Sequence, residues 1–92
     1  MPKILIIKAF IFILYSADVA ENRYHIHVEA RKGKFRVSAK FWITPEVEMV
    51  SPGAFSEKEI SQITKYIEQY KSIIIKQIEK FISGEKVTCI KK

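Results

Sequence analysis

Two histidines, His25 and His27, are the residues of this sequence best placed to do chemistry. On an extended chain their Cα atoms lie about 6.5–7 Å apart with both side chains on one face. Such a pair can hold a metal ion if a third ligand comes from elsewhere. Glu29 is better employed against Arg36, which leaves Asp18 in the preceding loop, and a lysine across the strand repels a cation. No metal and no cofactor are therefore expected. The second use is metal-independent RNA cleavage, with one imidazole as general base, the other as acid, and Lys40 or Arg36 on the phosphate. The third is structural, the imidazoles hydrogen-bonding Ser38 or Asp18 to hold a loop.

The charge around the histidines points to an anionic partner. Residues 23–40 hold six Lys and Arg side chains against Glu29 alone, a local net charge of +5 within a chain of net +6. Arg23, Arg31, Lys34, Arg36 and Lys40, with Trp42 beside them, form the candidate binding set for RNA or DNA. The competing explanation is a solvated edge hairpin that charge protects from aggregation.

Those residues need a frame, and alternation supplies it. Tyr24, Ile26, Val28 and Ala30 share one face of a strand, and His25, His27, Glu29 and Arg31 share the other. Phe35, Val37, Ala39 and Phe41 alternate in the same way with Lys34, Arg36, Ser38 and Lys40. A two-residue Lys32-Gly33 loop predicts a hairpin in which Arg31 faces Lys34, Glu29 faces Arg36, His27 faces Ser38 and His25 faces Lys40.

Upstream, Lys3 and the apolar stretch from Ala9 to Tyr15 imitate a short signal peptide. Lys8 splits the run, however, and Asp18 spoils a cut after Ala20. Two buried strands, Ile4–Ile7 and Phe10–Tyr15, are the expectation, with a cytoplasmic location and no membrane partner. Residues 43–54 read as an irregular connection. Ser56-Glu57-Lys58-Glu59 is a capping box, with Phe55 placed to staple onto Ile60. Ile60, Ile63, Ile67, Tyr70, Ile74, Ile78 and Phe81 then mark one face of a helix of about 27 residues ended by Gly84. The surplus apolar residues Ile73, Ile75 and Ile82 predict a homodimer through the far half of that helix.

Composition sets the bounds. Ninety-two residues, 48% hydrophobic and 28% charged, make one folded domain, with a core in 1–83 and a tail in 84–92 that is frayed or a short edge strand. The single cysteine, Cys89, excludes an internal disulfide framework. The predicted fold is α+β: an antiparallel sheet of about four strands with the long C-terminal helix over Tyr24, Ile26, Val28, Phe35, Val37 and Phe41.

The ordered set Met1-Pro2-x-Ile4, Tyr15-Ser16-x-Asp18, His25-Ile26-His27-Val28, Ala39-Lys40-Phe41-Trp42, Pro45 and Phe55-Ser56 resembles a family of short bacterial proteins known only as a domain of unknown function. The resemblance covers about residues 1–82. Such proteins are similar to components of toxin–antitoxin-like gene pairs, which implies a cytoplasmic protein that binds a small partner protein. The sequence departs from the family pattern in the longer loop Val19–Tyr24, which lacks the family's extra histidine and the proline before the first histidine. It also has Ile78 where tryptophan is common, and Glu85–Lys92 extend past the usual end.

Overall fold

The computed structural model describes residues 3–14, 24–44 and 46–92. Chain order is β1 (Lys3–Ile7), β2 (Phe10–Ile13), β3 (His25–Lys32), β4 (Phe35–Trp42), β5 (Glu48–Ser51), α1 (Glu57–Gln69), α2 (Lys71–Ile82) and β6 (Ile90–Lys91). The strands form one mixed sheet in the order β5-β4-β3-β2-β1-β6, antiparallel except where β6 runs parallel to β1. The architecture is α+β as expected, but with six strands and two helices instead of about four strands and one helix.

The N-terminal apolar run forms two neighbouring strands inside the sheet. β-branched and aromatic side chains suit a pleated, covered surface. Leu5, Ile7, Phe10 and Phe12 face the helices, and Phe10 packs against the Phe55 and Tyr66 rings at 6.0 and 6.1 Å. The inner faces of β3 and β4 add Ile26, Val28, Ala30, Val37, Ala39 and Phe41, all buried. Each large side chain so covered contributes about 1.5–3 kcal/mol relative to exposure.

The β3–β4 hairpin keeps the predicted faces and changes the predicted pairs. Its loop is Gly33-Lys34, with Lys32 opposite Phe35, Arg31 opposite Arg36, Glu29 opposite Ser38, His27 opposite Lys40 and His25 opposite Trp42. Gly33 takes φ +63° at the first loop position, where a type II′ turn wants glycine. The expected Lys32-Gly33 loop would have put glycine second. Each pairing moves by two positions, so every side chain stays on its face. Lys32, no longer a turn residue, reaches the Glu59 carboxylate and ties the hairpin to the start of α1. Phe35 lies beyond the helices and is 74% exposed, contrary to its expected burial.

The capping box forms as predicted, with the Ser56 hydroxyl accepting from the Glu59 N–H and Glu59 accepting from the Ser56 N–H. Ile63, Ile67, Ile74 and Ile78 are buried, with Ile60, Tyr70 and Phe81 half-buried beside them. The expected single helix is divided at Tyr70 (φ −109°, ψ 20°), although Tyr70 N–H still bonds Tyr66 O and Ile74 N–H bonds Tyr70 O, both at 3.0 Å. Kept straight, the two helices would run about 37 Å at 1.5 Å per residue. The longest dimension of the molecule is only 35 Å. Dividing the helix lets α2 follow the sheet to β1.

Both edges of the sheet are short strands. Residues 48–51, read as irregular connection, are edge strand β5. Gly53 (φ +57°) then brings the chain so close to β4 that a Cβ there would sit 1.8 Å from Ser38 O. At the other edge the tail contributes the two-residue strand β6, Ile90–Lys91. Buried Gln77 holds it by donating to Thr88 O and to Ile4 O (3.1 Å), beside the bulge where β1 slips against β2.

Candidate nucleic-acid interface

The face of the sheet turned away from the helices carries the candidate residues. Strand parity places His25, His27, Glu29 and Arg31 there from β3, and Arg36, Ser38, Lys40 and Trp42 from β4, whereas Lys34, expected on the second strand, lies in the connecting turn. Arg31, Lys34 and Arg36 are exposed, while Lys40 and Trp42 are half-buried. Lys40 Nζ lies 5.7 Å from the centre of the Trp42 ring, a cation–π contact that fixes both side chains. Arg23, Asp18 and Pro45 lie outside the described residues, so the expectations resting on them are not placed.

The histidines are neighbours but not equals. Their ring centres are 6.2 Å apart, and the His25 ring also meets Trp42 edge-on at 4.9 Å. His25 is 2% exposed, whereas His27 is half-buried opposite Lys40. A two-histidine cleavage needs both imidazoles at the substrate, and His25 is packed away from solvent in this conformation. Among the described residues, no three His, Cys, Asp or Glu side chains gather as a metal site.

Glu29 is the acid within this basic surface. Its Oε1 is 3.6 Å from Arg36 Nε, a diagonal contact, since Ser38 is the residue directly opposite. The expected Glu29–Arg36 pairing thus survives as an ion pair without being a register pair. Arg31 and Arg36 stand directly across from each other, an arrangement of like charges that strands avoid unless an anion or solvent accommodates it.

Sequence alternation could not show what lies beside this basic strip. β2 pairs with β3 through Ile11 opposite Glu29 and Ile13 opposite His27. The outer face therefore turns apolar at β2, and continues through Ile6 opposite Ile11 and Lys3 opposite Ile13. Ile13 is buried yet stands apart from the helix-side core. At the border of the two surfaces, Lys3, Ile11, Ile13, Glu29 and Arg36 line a cleft of about 170 Å³.

Elsewhere, Glu59 titrates away from its ordinary value. The Glu59 carboxyl is held below the ordinary carboxylate range, first by the Lys32 ammonium and then by the Ser56 N–H. It fastens the hairpin to the helix and has no place on the outer face.

Fold and surface together define a small α+β domain with helices on one side of its sheet and a basic, aromatic-edged surface on the other. Residues 9–79 match the family described as Domain of unknown function (DUF4160), and the chain belongs to that family. No curated protein and no solved structure matches it. No helix among the described residues is long and apolar enough to cross a membrane.

Proposed function

We propose that this protein is a non-enzymatic binding module that engages the phosphate backbone of a nucleic acid through the outer face of β3 and β4, as one component of a toxin–antitoxin-like gene pair. The observation that supports this most is the collection of Arg31, Arg36 and Lys40 on one sheet face, with Lys34 in the adjoining turn, Glu29 already engaged by Arg36 and Trp42 at the border. Phosphate contacts of this kind release counterions, so affinity falls steeply with salt. The Arg36→Ala, Lys40→Ala double variant should lower the magnitude of the log–log salt slope by roughly 1.5, about 0.7–0.9 for each phosphate contact removed. An electrophoretic shift assay at several salt concentrations measures it. Absence of both RNA and DNA binding at low salt would reject the nucleic-acid reading and leave only a protein partner.

The partner protein and the homodimer belong to the same proposal. Half-buried Ile73 and exposed Ile82 on α2 support a self-contact, although Ile75 and Phe81 already pack on this chain's own core. Light scattering at high micromolar concentration distinguishes a dimer from a monomer. The ribonuclease alternative has weaker support because His25 is buried against Trp42. RNA cleavage with a bell-shaped pH profile, abolished in a folded His25→Ala, His27→Ala variant, would revive it.

A further inference from the structure

The cleft at the border of the basic and apolar surfaces has a composition that phosphate binding alone does not require. Its floor is Ile11 and Ile13 from β2, its wall is the Glu29 carboxylate from β3, and Lys3 and Arg36 flank it on opposite sides. A carboxylate in the middle of a phosphate-binding face weakens attraction to a backbone. It becomes useful if the group it meets is a hydrogen-bond donor. The volume of about 170 Å³ equals roughly five or six waters at their share of liquid volume, room for a single one- or two-ring base but not for a drug-sized ligand.

Resting on the nucleic-acid reading above, we propose that this cleft accepts one unpaired nucleobase of a single-stranded nucleic acid and favours guanine. The base lies over half-buried Ile11, with buried Ile13 behind it, while Lys3 and Arg36 stand where the neighbouring phosphates run. Glu29 is an acceptor-only group when ionised. Guanine offers it two adjacent donors, N1–H and the N2 amino group. Uracil and thymine offer a single N3–H between two carbonyl oxygens, which the carboxylate repels. In a duplex these edges are already paired, so the cleft selects single strands. The Glu29 side chain is 13% exposed and Arg36 70% exposed, so the carboxylate is held in place while the guanidinium can swing to a phosphate.

The test uses the whole protein and fluorescein-labelled dodecamers of uridine or deoxythymidine, each with and without one central guanosine, together with a duplex of the same length. Fluorescence anisotropy at low salt should show the guanosine-containing strand binding at least about fivefold more tightly than the plain strand, the lower end of what one good bidentate base contact supplies. Glu29→Gln should erase that ratio while tightening binding of the plain strand, because a negative charge has left the phosphate surface. A side chain with only a structural role would not move the two quantities in opposite directions. Ile11→Tyr, which fills the cleft from its floor, should also erase the ratio, and it decides the matter if Glu29→Gln does not fold. An undiminished guanosine preference in the folded variant, no preference in either sugar series, or duplex binding as tight as single-strand binding would overturn the inference. Failure of every strand to bind would overturn the nucleic-acid reading as well.

Discussion

The two antiparallel hairpins of this sheet are built alike and used differently. β1–β2 turns through Lys8-Ala9, with Ile7 opposite Phe10, and β3–β4 turns through Gly33-Lys34, with Lys32 opposite Phe35. Both turns place their first loop residue at positive φ, +53° for Lys8 and +63° for Gly33. The first hairpin is apolar on both faces, while the second is apolar inside and basic outside. The basic surface is therefore bounded within the sheet itself, because β2 sits beside β3 and places Ile11 next to Glu29 and Ile13 next to His27. A mixed surface of this kind suits the single-stranded ligand proposed above, which has a charged backbone and bases with flat faces.

The sharpest test of the two faces of β3 is a pair of substitutions three residues apart. Val28 is fully buried against the helices, so Val28→Asp should cost about 4 kcal/mol or more and leave the domain unfolded or nearly so. Arg31→Asp on the outer face should leave the melting temperature almost unchanged. Equal losses in thermal melts would mean that the faces are assigned the wrong way round.

Gly53→Ala probes the far side of the second hairpin. The new methyl would need positive φ and would run into Ser38 O, so a loss of about 2 kcal/mol is expected. Urea denaturation showing no loss would mean that β5 and its following turn do not press on β4 in solution. Gln77→Ala tests the opposite edge, beside the first hairpin. The buried Ile4 O and the part-buried Thr88 O lose their donor, at about 1–3 kcal/mol. Amide exchange at Lys92, whose N–H bonds Ile6 O at 2.8 Å, should accelerate more than exchange in β3.

What the sequence discloses and conceals divides along the same line. The faces of β3 and β4 are legible because a period of two survives any even change of register. The register itself was misplaced because one glycine can sit first or second in a two-residue loop. β5 escaped notice because it is exposed along its whole length, leaving no alternation to read. Gln77 carries no local signal of its role, since only the fold brings Ile4 and Thr88 to it. Of the candidate site, the basic half follows from local pattern. The cleft does not, since it depends on β2 meeting β3 across a connection of unpatterned chain.

The link between hairpin and helix titrates in a known direction. Glu59 has its pKa lowered in the folded protein by Lys32 and then by Ser56. Its contribution is therefore present above the ordinary carboxylate range and is lost as pH falls through the lowered folded value. Glu59→Gln should flatten that acid limb of the stability profile while leaving the outer-face binding unchanged at neutral pH. An unaltered acid limb in denaturant titrations at several pH values would place the acid sensitivity elsewhere.

The smallest effect expected compares the two turns directly. Gly33 is free of neighbours within 4 Å of a built Cβ, so Gly33→Ala should reveal the conformational cost of positive φ alone, about 1 kcal/mol. Lys8 already bears such a cost at the equivalent position. Lys8→Gly relieves it in the folded state, but it also gives the unfolded chain more freedom, which offsets roughly 0.5–1 kcal/mol. The net change should lie between zero and about 1 kcal/mol of added stability. The two substitutions should thus have opposite signs if both loops share one turn geometry. A destabilised Lys8→Gly variant would show that the lysine side chain makes contacts worth more than the strain of its backbone, and that the resemblance between the hairpins ends at their registers.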